Sequence, residues 1–402
     1  MSVLSGKKVI LGVTAGIAAY KSAFLVRELI RRGAEVRVVM TPAARDFVTP
    51  LTLSTLSKNE VLFSFTDEED EGGRWNNHVE MGLWADLFLI APATANTLSK
   101  MAHGTCDNLL LAVYLSAKCP VYYAPAMDLD MYKHPSTAAT FEKLQRFGNI
   151  QIPAEHGELA SGLVGQGRMA EPSAIVEFIE EDMVGKLPLR GKRILVTAGP
   201  TYEPIDPVRF IGNHSSGKMG FALARAAADL GAEVTLVSGP SAEQLEHPGV
   251  RVLRVQTAQE MLESCKEHFD AMDALIMSAA VADYRPAEIA ANKIKKSDDT
   301  MSIDLVRNPD ILKTLSGQKK KQIMVGFALE TDQELEHAKG KLERKDLDLI
   351  VLNSLQDDGA GFGTSTNKVT LIDRQGAVTP LKLKSKSDVA RDILDHLLPY
   401  FS

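Results

Sequence analysis

Twice along the chain an apolar run of strand length passes through a glycine-containing turn into an amphipathic helix and then into a second apolar run. No other feature constrains the fold as tightly. The first passage is KKVILGV (7–13), the helix KSAFLVRELIRRG (21–33) and EVRVVM (35–40). The second is GKRILVTAGP (191–200), a helix ending near Gly231, and EVTLVSG (233–239). Gly-Ala-Glu-Val occurs at 33–36 and again at 231–234, each time closing a helix and opening a strand. Duplication or independent use of the same helix-stop chemistry would each produce this echo. Further strands are expected at DLFLIAPA (86–93), VYYAPAM (121–127), ALIMSAA (274–280), KQIMVGF (321–327), LDLIVLN (347–353) and KVTLID (368–373), and a closing helix at the C-terminus. Their β-branched and aromatic character implies burial on both faces, as in parallel sheets covered by helices. The expectation is α/β, with two doubly wound (Rossmann-like) parallel-sheet domains at 1–185 and 192–402. A linker at 186–191 falls inside the Gly- and Pro-containing DMVGKLPLRGK (182–192).

A formal net charge of -7 gives the chain no global field for nucleic acid or anionic lipid, so a phosphate-bearing ligand needs local donors. Cys106, Cys119 and Cys265 are too few and too scattered for a disulfide framework or a zinc site, which fits a reducing cytoplasm. Lys7 and Lys8 precede an apolar run, Val9 to Tyr20, that is too short to span a bilayer. It contains Gly12, Thr14 and Gly16 and leads into Lys21 and a helix, so a buried strand and turn are expected there. The acidic TDEEDEGG (66–73) is expected to be a solvated loop.

In the first half, GVTAGIAAYK (12–21) places small residues and backbone N–H groups at a helix N-terminus, where an anion can bind, and Thr14 can add a hydroxyl donor. APATANT (91–97) and PAMDLDMY (125–132) end buried strands, where open α/β sheets bind ligands. GELASGLVGQGRM (157–169) is a Gly-rich loop suited to a lid. In this order the segments resemble the homo-oligomeric flavin-containing cysteine decarboxylases, in the phosphopantothenoylcysteine decarboxylase branch, over roughly residues 5–180. The resemblance implies a flavodoxin-like domain holding FMN through Thr14, Ala15, Thr41, Ala93, Thr94, Ala95, Asn96, Thr97, Ala126 and Met127.

His78, in NHVEMGLWAD, occupies the position of the family's catalytic histidine. Taken alone, a histidine at a helix start is more often a capping or surface residue. A side chain titrating near ~6.5 can nonetheless assist proton removal. The chemistry implied is oxidation of the substrate's cysteine thiol to a thioaldehyde, loss of CO2, and reduction to 4′-phosphopantetheine. Two positions depart from the family pattern: Asp128 stands where P-A-M-N-x-x-M has Asn, and Ser161 stands where the lid has Cys. An ionised Asp128 would repel a substrate carboxylate, and a serine hydroxyl is far less acidic than a thiol at ~8.5. A protonated Asp128 could supply the final proton.

In the second half, GNHSSGKM (212–219) approaches a P-loop. Met219 stands where the magnesium-binding hydroxyl belongs, and YEPIDPVRF intervenes after the strand, so that assignment is rejected. The whole run TAGPTYEPIDPVRFIGNHSSGKMG (197–220) resembles the phosphopantothenate–cysteine ligase domain. So do SAAVADYRP (278–286), NKIKK (292–296), NPDIL (308–312) and VGFALET (325–331), together with the helix carrying Lys341 and Lys345. A lone KIKK is usually a solvated turn; its neighbours give it meaning here. The resemblance implies CTP held by Asp283, Lys293, Pro309, Asp310, Ile311, Leu312, Phe327, Lys341 and Lys345, with Asn213 on the acyl-cytidylate and Mg²⁺ on the triphosphate. KKK at 319–321 lacks such context and reads as a surface turn.

Together the two resemblances imply a cytoplasmic enzyme of coenzyme A synthesis. It would join 4′-phosphopantothenate to cysteine with CTP and then decarboxylate the product, with no nucleic-acid or membrane partner. They also imply homo-oligomers, trimers of flavin domains and dimers of ligase domains. One alternative keeps the ligase and makes the flavin domain a non-catalytic regulatory or scaffold module; His78 argues for chemistry and Ser161 keeps the alternative open. An NAD(P) dehydrogenase is disfavoured, since neither half has G-x-G-x-x-G between its first strand and helix.

Overall fold

The computed structural model describes residues 2–66, 75–295, 301–330, 334–354 and 364–401. Most of the acidic run, Lys296 of NKIKK and Thr331 of VGFALET lie outside the described residues. The chain forms two compact units, Met1–Gly185 and Lys186–Ser402.

In the first unit, β1 (Lys8–Val13), β2 (Glu35–Met40), β3 (Val61–Leu62), β4 (Leu87–Ala93), β5 (Val121–Pro125) and β6 (Ile150–Gln151) make one parallel sheet in the order β3-β2-β1-β4-β5-β6. Alternate residues of β1 enter different cores: Val9, Leu11 and Val13 pack on one face, and Ile10 packs with Phe88 and Ile90 on the other. The continuous apolar runs have this two-sided burial as their cause. A separate antiparallel hairpin, β7 (Glu155–Glu158) with β8 (Val164–Arg168), forms from the stretch expected to be a lid loop.

The second unit repeats the plan. Strands β9 (Arg193–Ala198), β12 (Glu233–Ser238), β13 (Val250–Arg254), β14 (Ala274–Met277), β17 (Ile323–Glu330) and β18 (Leu349–Ser354) run parallel in the order β13-β12-β9-β14-β17-β18. Two antiparallel strands, Val369–Asp373 and Val378–Pro380, extend the edge, so this sheet is mixed. Short hairpins β10 (Tyr202–Pro204) with β11 (Phe210–Gly212), and β15 (Tyr284–Pro286) with β16 (Leu305–Arg307), stand outside it. Leu189, in the stretch expected to be linker, is fully buried in this unit's core, and its N–H donates to Leu230 O at 2.9 Å.

The Gly-Ala-Glu-Val echo is a shared helix stop. Gly33 and Gly231 have φ of 86° and 96°, and Ala34 and Ala232 each donate back five residues, to Leu29 O and Ala227 O, at 3.1 Å. That is a Schellman cap, whose left-handed position favours glycine. Each Glu then opens the strand beside the unit's first, pairing Glu35 with Lys8 and Glu233 with Arg193.

Candidate active sites

Both sheets reverse their strand order beside the first strand, and ligand crevices form at the carboxyl ends of strands at such a switch point. A cavity of about 510 Å³ lies there in the first unit. It is lined by every residue the sequence assigned to FMN except Thr14 and Ala93. Thr14 differs from expectation: its hydroxyl donates to Pro92 O at 2.8 Å and accepts from Thr94 N–H at 3.2 Å, tying the end of β1 to that of β4. Thr41 does the opposite. Its Oγ1 lines the cavity, buried and without a hydrogen-bond partner. Thr94 caps the helix Ala95–His103 with no side-chain bond to it, so that helix presents open N–H groups at the cavity. An orphaned buried hydroxyl and a free helix N-terminus fit a phosphorylated, hydrogen-bonding cofactor. The ion pair Lys100–Asp107 also borders the cavity, and neither residue carries a sequence signal.

The lid hairpin is fastened to the cavity floor. Met127 N–H donates to Gly167 O at 3.0 Å, and a Cβ on Gly167 (φ 141°) would stand 2.4 Å from Met127 O. Buried Lys21 holds the hairpin's exit, donating to Met169 O and Glu171 Oε1, both at 2.9 Å. Ser161 is exposed at the turn, where Leu163 N–H donates to its Oγ at 3.4 Å. Asp128 precedes the helix Leu129–Lys133 without capping it, which leaves its carboxylate free of that duty. His78 begins the helix His78–Trp84 and lies edge-on to the rings of Phe65 and Trp75, each 6.3 Å away between centroids. Its Nδ1 is buried without a partner. His78, Asp128 and Ser161 do not line the cavity within one chain.

In the second unit two cavities, of about 640 and 390 Å³, share Ala279, Val281, Asp283, Phe327 and Lys341. The larger collects every residue assigned to CTP except Lys293. Asp310 caps the helix Ile311–Ser316, accepting from Lys313 N–H at 2.9 Å, and pairs with Lys345. Burial alone pushes the Asp310 carboxyl upward. Lys345, the Lys313 amide and the Lys341 charge outweigh that and hold it below its ordinary value. Lys341 Nζ donates to Phe327 O at 2.8 Å. Asn213 lines the smaller cavity and spends its amide N–H groups on Ala280 O and Val281 O, at 3.0 and 3.3 Å, leaving its Oδ1 to accept. Lys293 stands exposed on a loop outside both cavities.

The hairpin β10–β11 intervenes between β9 and the helix Lys218–Asp229, so the direct strand–loop–helix succession of a P-loop is absent. That helix still begins at the cavity, because Gly220 lets it press on β9: a Cβ there would lie 2.5 Å from Ala198 Cβ. Lys319 and Lys320 of the KKK run pair with Asp348 and Asp270.

Comparison with known proteins assigns each unit. The Flavoprotein family matches residues 2–184, and the DNA/pantothenate metabolism flavoprotein C-terminal domain matches residues 189–400. The coenzyme A biosynthesis bifunctional protein CoaBC of Bacillus subtilis (strain 168) is 44% identical, covering 98% of this chain and 97% of its own. The protein of the same name from Vibrio parahaemolyticus serotype O3:K6 is 46% identical and covers 99% of both chains. The chain belongs to the bifunctional coenzyme A biosynthesis family. As a member it is an enzyme with a phosphopantothenoylcysteine decarboxylase half and a phosphopantothenate–cysteine ligase half. A cysteine/cysteine sulfinic acid decarboxylase from an unknown prokaryotic organism is 53% identical, covering 87% of this chain and 99% of its own. No helix among the described residues is long and apolar enough to cross a membrane.

Proposed function

We propose that the ligase half activates 4′-phosphopantothenate with CTP and that the flavin half, carrying FMN, decarboxylates the product. The observation that carries this is the convergence of Asp283, Pro309–Leu312, Phe327, Lys341 and Lys345 on one cavity, with Asn213 in the cavity beside it. A carboxylate oxygen of the acyl substrate attacks the α-phosphorus of CTP and pyrophosphate leaves. The cysteine amine then attacks the acyl carbon and expels CMP. Lys341 and Lys345, both on the larger cavity, would meet the phosphate charge as it grows, and Mg²⁺ would add Lewis-acid stabilisation.

In the flavin half, Thr41 and the N–H groups at Thr94–Thr97 would hold FMN, which supplies the two-electron oxidation and reduction around loss of CO2. Asp128 would deliver the last proton in place of a lid thiol. His78 sits among exposed Trp75, Val79 and Leu83, an apolar setting that suits a seam between copies of this domain, where it would serve a neighbour's site. Trimers of the flavin half and dimers of the ligase half are part of this proposal. A second reading, decarboxylation of free cysteine or cysteine sulfinate, is favoured only by the name of the 53% identical relative.

The test supplies each half with its own substrate. Pyrophosphate release from CTP that requires 4′-phosphopantothenate, and CO2 release from 4′-phosphopantothenoylcysteine by flavin-coloured protein, are expected. Loss of either removes that half of the assignment.

A further inference from the structure

The three residues that precede His78 each make a contact that fixes where it stands. Trp75 forms an antiparallel bridge with Thr66. Beside that bridge Asn76 N–H donates to Phe65 O at 2.9 Å, and Asn76 Nδ2 donates to Ser64 O, also at 2.9 Å. Asn77 caps the helix His78–Trp84, its side-chain oxygen accepting from the Val79 and Glu80 N–H groups at 3.0 and 3.3 Å. The backbone of His78 is thereby tied to residues 64–66 on one side and to its own helix on the other.

Two rings fix the third. Phe65 packs against the core that contains Phe88 and Ile90, and Trp75 stacks on Phe65 with centroids 5.5 Å apart and planes inclined by 20°. The imidazole of His78 meets both, its plane at 89° to that of Phe65 and 71° to that of Trp75. Edge-to-face contacts of this kind are attractive and directional. A histidine that moves protons is ordinarily oriented by a hydrogen bond on its other ring nitrogen. Here Nδ1 is buried with no hydrogen-bond partner among the described residues, so that orienting falls to the rings.

We propose that Phe65 and Trp75 are positioning residues of the decarboxylase reaction, a clamp that sets the plane of the His78 imidazole. The inference rests on the reading that His78 serves a flavin site. An unclamped imidazole would turn among several rotamers, few of them aimed at the reacting atom; the clamp removes the others before the substrate arrives. Acting through the imidazole alone, it affects turnover and not substrate affinity.

The test uses the full chain loaded with FMN and supplied with 4′-phosphopantothenoylcysteine. It compares Trp75→Ala, Trp75→Phe, His78→Asn and the double variant carrying both Trp75→Ala and His78→Asn. Trp75 is 56% exposed, so its removal spares the core that Phe65 joins. Trp75→Ala is expected to lower kcat for CO2 release by roughly tenfold, with KM and bound FMN within about twofold of wild type. Trp75→Phe should recover kcat to within about threefold. In the His78→Asn background, itself slower by roughly 10²-fold or more, Trp75→Ala should cost less than about twofold, because the group it orients is gone. The clamp is overturned by a Trp75→Ala kcat within about twofold of wild type, by an equal loss in both backgrounds, or by a loss confined to KM or to FMN content. Should Trp75→Ala lower the thermal midpoint of unfolding, Asn76→Ala takes its place in the same comparison, since it loosens the base of the clamp and keeps all three rings. Wild-type turnover by His78→Asn overturns the assignment of His78 itself.

Discussion

The Asp206 carboxylate accepts both Nη2 and Nε of Arg209, at 2.6 and 3.0 Å. It also accepts from the amides of Val208 and Arg209 at 2.8 Å, and from that of Ile294 at 3.1 Å, while Arg209 Nη2 donates to Ile294 O at 2.9 Å. One buried carboxylate thereby fixes the loop that carries Lys293. The Asp206→Asn variant keeps the shape but loses the charge. If the exposed Lys293 reaches over the cavity to bound CTP, the variant is expected to raise the KM for CTP by roughly five- to tenfold with little change in kcat, since one charge-assisted contact is lost. A KM within twofold of wild type would show that the loop needs no such clamp.

The same carboxylate gives a pH dependence. The Arg209 guanidinium outweighs burial, with help from the three amides, and holds Asp206 well below its ordinary value. A depressed carboxyl contributes stability that is present above the unfolded value of ~3.9 and is lost as pH falls through the folded value. The thermal midpoint of the ligase unit should therefore fall on acidification below about pH 4 less steeply in Asp206→Asn than in wild type. Parallel curves would remove Asp206 from the acid response.

Thr41 is expected to behave as a ligand residue and not as a packing residue. Its hydroxyl is buried and unpartnered in the protein alone, so Thr41→Val should leave the flavin-free protein as stable or more stable. FMN affinity should drop by roughly tenfold, the worth of one hydrogen bond of about 1.4 kcal/mol, read by fluorescence titration. Unchanged affinity would mean that the hydroxyl does not meet the cofactor.

Asp128→Asn restores the residue type of the related decarboxylases. If Asp128 delivers the final proton, CO2 release continues while formation of 4′-phosphopantetheine slows by roughly 10²-fold or more. Identical turnover and an identical pH profile would assign the proton to another group.

Lys345→Ala should lower kcat/KM for CTP by roughly 10- to 100-fold, because it removes a cation from the larger cavity and leaves Asp310 unpaired there. Decarboxylation of supplied 4′-phosphopantothenoylcysteine by the same variant serves as the control, since that site lies in the other unit.

The sheets were legible because a strand buried on both faces must be apolar where it is covered, as LFLIAPA and the ILV of RILVTA are. The paired strands β10–β11 and β15–β16 were not, because strands of three residues are too short to leave a periodic pattern. Motif residues at strand ends, from Ala15 to Met127 and from Asp283 to Lys345, came together because the switch point gathers them. Lys386 carried no signal: a lysine in KSKSD looks solvated until the helix Lys386–Leu397 packs and buries it. Thr14 gave the opposite lesson, since the fold used a hydroxyl suited to a ligand to join two strands.

The most direct measurement incubates the purified chain with cysteine labelled at its carboxyl carbon, 4′-phosphopantothenate, CTP, Mg²⁺ and FMN, and collects labelled CO2. The two-step account predicts labelled CO2 only when CTP and 4′-phosphopantothenate are both present, after pyrophosphate has appeared. Labelled CO2 from cysteine without CTP, or pyrophosphate with no CO2 at all, would contradict it.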